Sequence, residues 1–217
     1  MFNIEDRSWI SRSTFAESAE AEISFCLATT FNPDPNSLED ASAIALPGFV
    51  GHNVEGFEDI PSSDVVGNEQ RLINHYKAVL RLADQHGQTY NEFDHHMWLR
   101  LHIGWEEKVV GFPWYDTLEL MENLFSWLSC AVDGDLWSDA EEGWEMIVLR
   151  SASNIHFRWG GFDQGGEHAN IAFPRESLLS SISILKERIR LLIDRLAAEI
   201  GEDYWSRYPL DLRPDLN

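Results

Sequence analysis

The chain has 217 residues, 44% of them hydrophobic, which is enough to bury a sizeable core without disulfide bonds or a structural metal. Its formal net charge is −21, against a magnitude of about 2–8 for a typical small domain. A field of this sign repels nucleic acids and anionic membranes and attracts basic partners, so we expect no nucleic-acid or membrane partner. The excess of acidic residues is largest in residues 1–66, where only Arg7 and Arg12 oppose it, and in residues 131–173.

The sequence also predicts a cellular compartment. No apolar run approaches the roughly 18 residues that a membrane span needs, and the N-terminus lacks the basic and apolar regions of a signal peptide. Cys26 and Cys130 are too few for a disulfide framework, and both lie in apolar segments. We therefore expect buried, reduced thiols and a cytoplasmic protein.

In chain order, the first patterned segment is a strand. Residues 1–20 show no clear periodicity, whereas residues 22–31 alternate, which predicts a strand with these residues on one face: Ile23, Phe25, Leu27 and Phe31. Residues 37–66 are rich in glycine and proline. They are typical either of an ordered loop with short strands or of a partly mobile acidic surface, and the sequence does not decide between the two.

The middle of the chain predicts two helices around a strand. Residues 68–86 have a helical stripe, with Asn68 as a cap and Gly87 as a terminator. Residues 95–103 alternate like a strand, and residues 108–112 can form its short partner. A capping box at residues 116–119 opens a helix that runs to about residue 130.

A hairpin is predicted next. Residues 144–150 are apolar on both faces, which indicates a strand covered on both sides, and residues 151–153 form a turn. Residues 154–159 alternate between an apolar set and a polar set, so we expect this second strand to have one buried face. The apolar set is Ile155, Phe157 and Trp159, and the polar set is Asn154, His156 and Arg158. The pattern resumes briefly at residues 169–173.

The last element is the most periodic. Residues 178–200 carry an apolar stripe with helical spacing, formed by Leu178, Ile182, Leu185, Ile189, Leu192 and Leu196. Pro174 suits the first turn of this helix, and Gly201 suits its end. We expect the stripe to pack on the hairpin of residues 144–159, and we expect residues 208–217 to form a loose tail.

This order of elements predicts the fold class. Strands and helices do not alternate regularly, which favours an α+β fold with a mixed or antiparallel sheet flanked by three main helices. We expect a single α+β domain spanning residues 1–217.

The familiar ligand motifs fail on spacing, so no cofactor and no metal is expected. His95 and His96 point to opposite faces of a strand, and His96 lies about 20 Å from His102 at roughly 3.3 Å per residue. Residues 133–139 resemble the start of a calcium loop but carry Trp137 at a ligand position. The glycine-rich residues 160–167 match no phosphate-binding pattern.

Two hypotheses about a site remain open. The first is a partner-binding surface in the acidic segment, with Trp137 as an anchor and a rim of Asp133, Asp135, Asp139, Glu141 and Glu142. Its alternative is a plain solvated loop. The second hypothesis is an enzyme with an unrecognised site, for which the best cluster is His156, Arg158, Asp163, Glu167 and His168.

The chain is acidic and small, has an acidic segment with tryptophan at residues 133–145, and lacks catalytic motifs. In these features it resembles the immunity proteins of bacterial toxin systems. These proteins bind a cognate toxin, often a nuclease with a basic active cleft, and block it. The resemblance implies a cytoplasmic inhibitor that is not an enzyme and whose partner is a basic toxin, and it carries over no individual residue. An adaptor in a larger assembly is the remaining alternative.

Overall fold

The computed structural model describes residues 5–28, 30–31, 44–46, 57–65, 69–87, 97–111, 117–141, 144–161 and 166–200. Within these ranges the chain forms two main sheets and three α-helices, so the predicted α+β class is confirmed. The predicted tail and Gly201 lie outside the described residues, as do the capping positions Asn68 and Asp116.

The strands are β1 (Thr14–Phe15), β2 (Glu20–Ala28), β3 (Thr30–Phe31), β4 (Ile44–Ala45), β5 (Phe57–Pro61), β6 (Met97–Trp105), β7 (Lys108–Gly111), β8 (Leu136–Glu141), β9 (Trp144–Arg150), β10 (Asn154–Gly161) and β11 (Gly166–Pro174). The α-helices are α1 (Glu69–Gln85), α2 (Thr117–Cys130) and α3 (Arg175–Ile200). Short 3-10 helices span Ser8–Arg12 and Ser62–Asp64.

The larger sheet has the order β1-β11-β10-β9-β8, in which β1 runs parallel to its neighbour β11. The smaller sheet, β5-β2-β6-β7, is antiparallel, and β3 pairs with β4 separately. Both predicted hairpins are confirmed, since β9 pairs with β10 and β6 pairs with β7. Alternation predicted β6 and β10, whereas the continuous apolar run of β9 predicted a strand covered on both sides.

Helix α3 joins the two sheets. Most of its predicted stripe is buried, including Leu185 at 1% exposure, and it contacts β10 of the predicted hairpin and also β11, which lay outside the prediction. Its more extensive contact is with β2, which the sequence did not reveal. There the hydroxyls of Ser177 and Ser181 accept hydrogen bonds from the amides of Ala19 and Ala21 at 2.9 and 2.7 Å. The prediction that α3 packs on the hairpin was therefore correct but incomplete.

The other two helices follow their sequence patterns. In α1, Leu72, Tyr76 and Val79 are fully buried, and α1 lies beside α3. Gly87, which follows α1, has a φ of 63°, the left-handed conformation expected of a helix terminator. In α2, Leu124 and Leu128 are buried in the same hydrophobic cluster as both sheets and α3.

The second face of the larger sheet corrects one prediction. Strand β10 was expected to have one buried face, but His156 on its polar face is 4% exposed. The 3-10 helix Ser8–Arg12 lies over this face, and Trp9 packs there against Ile147 and Leu149 at 0% exposure. The prediction that β9 is covered on both sides is confirmed, because its residues from Trp144 to Leu149 are buried on both faces.

A second prediction fails at the end of α2. Cys130 was expected to be buried, but it is exposed, because it lies on the face of α2 away from Leu124 and Leu128. The side chain of Cys26 lies outside the described part. In the part of the chain that the structure describes, no helix is long and apolar enough to cross a membrane.

Candidate functional site

The acidic segment forms strand β8 at one edge of the larger sheet. In the described part of the chain β8 pairs with β9 alone, with Trp137 opposite Val148 and Asp139 opposite Met146. The amide of Arg150 donates to the carbonyl of Asp135 at 3.0 Å, so the Asp135 carbonyl faces β9. Because the backbone groups of alternate residues face the same way in an antiparallel strand, those of residues 136, 138 and 140 face away from β9. Exposed side chains at Ser138 and Ala140 leave this edge open to solvent.

Trp137, the predicted anchor, is half-buried. Its side chain packs against the main hydrophobic cluster, on the face of the sheet that also carries Met146 and Val148. Part of the indole therefore contributes to the fold, and the rest borders solvent. This position fits an anchor that is held rigidly before a partner arrives, because a fixed side chain loses little entropy on binding.

Two of the predicted rim acids hold a turn. Oδ1 of Asp133 lies 3.6 Å from Nη1 of Arg175 and 3.9 Å from Nε of Arg150. Oδ2 of Asp135 accepts a hydrogen bond from the amide of Val132 at 2.7 Å. Both carboxylates thus fix the connection between α2 and β8, and Asp133 is partly neutralised by two guanidinium groups.

The other rim acids differ from these two. Asp139 accepts a hydrogen bond from the amide of Ala140 at 2.8 Å, so its carboxylate covers one of the outward-facing donors of β8. Asp139 follows Trp137 by two positions and shares its face of the strand. The side chain of Glu141 and the whole of Glu142 lie outside the described part, so their rim positions stay a prediction.

These contacts predict different stabilities for two alanine variants. Asp135→Ala removes the acceptor of the Val132 amide in a turn and is expected to lower the free energy of unfolding by about 1 kcal/mol. Asp139→Ala removes a bond on an open edge and is expected to change it by less than about 0.5 kcal/mol. Urea denaturation of both variants measures the difference, and equal losses would contradict the assignment of Asp135 to the fold.

The enzyme hypothesis gains little from the arrangement of its cluster. The side chains of Arg158 and Glu167 form an ion pair, with Nε 2.7 Å from Oε2. His168 is exposed, and its ring centroid lies 4.7 Å from that of Trp159, whereas His156 is buried beneath the residues that precede β2. Asp163 lies outside the described residues. The members that can be placed therefore do not converge on one point.

Among the described residues, no group of three or more His, Cys, Asp or Glu side chains is placed to hold a metal ion. His95 and His96 lie outside this part of the chain. His102 lies on β6 opposite Glu22 and Gly111.

A buried polar network was missed by sequence reasoning. Nδ1 of His156 lies 3.2 Å from Oγ of Ser13, which donates to Oδ1 of Asn170 at 2.8 Å. Nε2 of His156 lies 3.4 Å from Oγ of Ser151. Nothing in the spacing of these residues signals the network, because 143 positions separate Ser13 from His156.

Comparison with known proteins identifies no family for this chain: no family model matches it, and neither a curated protein nor a solved structure does. The surface and the charge of the molecule are therefore the basis for its proposed function.

Proposed function

We propose that the protein is an acidic inhibitor that binds a basic protein at the rim of strand β8 and blocks it, in the manner of toxin-neutralising immunity proteins. The observation that carries this proposal is the half-buried Trp137 beside Asp139 on an open edge strand, in a chain of net charge −21. Aromatic anchors within a polar rim are the residues that dominate binding energy at protein interfaces.

The use of arginine within the fold supports the proposal. Among the described residues, at least six arginines form ion pairs with carboxylates of the same chain: Arg150, Arg158, Arg175, Arg188, Arg190 and Arg195. The chain has 37 acidic residues and only 16 lysines and arginines. Because internal pairs engage so many of the basic groups, the field around the molecule is set by the remaining carboxylates. Such a field accelerates encounter with a basic partner and disfavours acidic ones.

The identity of the partner can be tested through gene order. If the chain is an immunity protein, the gene next to its own encodes the toxin that it neutralises. We expect the purified chain to form a one-to-one complex with that protein and to abolish its activity at equimolar concentration. Expression of the neighbouring gene should arrest growth, and co-expression of the chain should restore it.

A matched pair of charge reversals locates the surface. Asp139→Lys and Glu107→Lys change the net charge equally, but Glu107 is an exposed residue in the turn between β6 and β7 of the other sheet. Asp139→Lys is expected to raise the concentration of the chain that is needed to neutralise the partner by at least tenfold. Glu107→Lys is expected to raise it much less. Equal effects of the two variants would show that only net charge matters and that β8 is not the binding surface.

A further inference from the structure

The segment that covers the second face of the larger sheet comes before strand β2 in the chain. We call residues 5–16 the N-terminal arm. Its 3-10 helix places Trp9 against Ile147 and Leu149, and its strand β1 pairs with β11 over two residues only. In the described part of the chain, the buried Nε1 of Trp9 has no hydrogen-bond partner. Docking the arm therefore leaves one polar group unsatisfied, which weakens the docked state.

The arm is anchored at its C-terminal end. Its last residue, Ala16, donates an amide hydrogen bond to the carbonyl of Ala172 at 2.9 Å. Directly after it, the hydroxyl of Ser18 lies 2.7 Å from that of Ser177 on α3, and the Ala19 amide donates to the same serine. The arm can therefore leave the sheet while residues 18–21 stay fixed to α3.

His156 lies at the centre of the contact between the arm and the sheet. Its ring makes edge contacts with Trp9 and Phe15 of the arm, at centroid distances of 6.3 and 6.1 Å. The hydroxyl of Ser13 donates to Oδ1 of Asn170, whose Nδ2 donates to the carbonyl of Trp9 at 3.0 Å. Since that hydroxyl proton is already used, Nδ1 of His156 must be the donor toward Ser13.

The other ring nitrogen has a weaker contact. Oγ of Ser151 lies 3.4 Å from Nε2 of His156, and the hydroxyl donates to the carbonyl of Asn154 at 2.9 Å. A protonated Nε2 could donate to Ser151, but this distance is near the limit of a hydrogen bond. The stabilisation from this hydrogen bond is too small to offset the loss of hydration of an imidazolium that is 4% exposed. Burial accordingly lowers the pKa of His156 below its usual 6.5.

The charged groups on this face do not reverse that balance. Arg158, two positions along β10, is paired with Glu167. On the arm, Asp6 interacts with Arg12 and Arg158. Glu145 shares the same face of β9 as Ile147. His156 has neither a hydrogen bond to a carboxylate nor an ion pair with any described residue, so nothing in its surroundings neutralises a charge on the ring.

We propose that acid releases the N-terminal arm from the sheet. The arm is docked on the sheet while His156 is neutral, and it detaches when His156 is protonated in mildly acidic solution. Release exposes the apolar patch of Ile147, Leu149 and Trp9. This inference does not depend on the proposed inhibitor function, because it concerns only contacts within the chain.

The direction and size of the effect follow from proton linkage. The detached arm leaves His156 open to solvent, where it regains its usual pKa of 6.5, whereas the docked state holds the pKa lower. Docking is therefore at full strength above pH 6.5 and weakens as the pH falls below that value. One titrating group changes the docking constant by at most about tenfold per pH unit.

Hydrogen exchange of the intact protein between about pH 5.0 and pH 7.5 tests the release of the arm, since this window spans the usual pKa of histidine. After correction for intrinsic rates, we expect the protection of amides in residues 9–16 to fall by up to tenfold per pH unit below pH 6.5. We also expect it to be smaller at every pH than the protection of residues 178–189 in α3. Binding of a hydrophobic dye should rise over the same range while the helical circular dichroism signal stays unchanged.

Two variants provide the controls. His156→Gln keeps polar groups near Ser13 and Ser151 but cannot titrate. After correction for intrinsic exchange rates, the protection of the arm in this variant should therefore be independent of pH. His168→Gln removes an exposed histidine and should behave like the unmodified chain. The proposal is overturned if the arm and α3 have equal protection, because the arm then opens only by global unfolding. It is also overturned if His156→Gln retains the pH dependence.

Discussion

Leu185→Asp is expected to unfold the protein at room temperature. Leu185 lies at the centre of α3, is 1% exposed and belongs to the hydrophobic cluster that joins both sheets. An aspartate there is buried without a partner and also leaves the volume of the leucine unfilled. A loss of about 5 kcal/mol or more equals or exceeds the stability of a domain near the lower end of the usual range of roughly 5–15 kcal/mol. Loss of the cooperative transition in urea and in thermal denaturation would be the measured result.

The neighbouring residue supplies the control. Ile184 lies on the same helix and is 60% exposed, so Ile184→Asp places the same charge one position away in solvent. We expect it to shift the urea midpoint only slightly, because surface substitutions usually change stability by less than about 0.5 kcal/mol. A soluble Leu185→Asp variant with the midpoint of the unmodified chain would show that the stripe of α3 is not core.

Trp137→Ala is expected to increase the dissociation rate of the complex with the basic partner by about thirtyfold, which corresponds to roughly 2 kcal/mol of binding free energy. The exposed part of the indole is the part that a partner can cover, whereas the rest packs on the main cluster. The variant is therefore also expected to lose some stability. Binding kinetics must be measured at a temperature at which circular dichroism shows the variant to be folded.

Trp105→Ala separates these two effects. Trp105 ends strand β6 of the smaller sheet and is likewise a half-buried tryptophan packed on the main cluster. It should therefore lose stability as Trp137→Ala does, but leave the dissociation rate of the complex unchanged. Equal dissociation rates for the two variants would show that Trp137 serves the fold and is not an anchor.

Much of the fold could be predicted because its elements bury regular sets of residues. The all-apolar strand β9 and the stripe of α3 lie where the pattern places them, since periodicity reflects the local geometry of each element. The cover over β10 could not be predicted. Its buried apolar residue is a single tryptophan in a short 3-10 helix, Trp9, and one residue creates no period. For the same reason the polar character of His156 gave no sign of its burial.

In the candidate surface, the sequence could not predict the role of each acidic residue. Asp133, Asp135 and Asp139 look equivalent in the sequence, yet the first two fix a turn and the third lies on the open edge. Which acid meets an arginine or an amide depends on partners such as Arg175, which is 42 positions from Asp133 in the printed sequence. Contacts of this range leave no local pattern, so composition predicted an acidic surface but not the role of each carboxylate.

The proposed function depends on attraction between this acidic surface and a basic partner, and the association rate measures that attraction most directly. Stopped-flow mixing with the product of the neighbouring gene should give an association rate that falls steeply as salt is raised. The physical reason is that the screening length shrinks from about 30 Å at 0.01 M to about 8 Å at 0.15 M ionic strength. Asp139→Lys should lower both the rate at low salt and the steepness of its decline, more than Glu107→Lys does. An association rate that does not change with salt, in the unmodified chain and in both variants alike, would contradict the proposal.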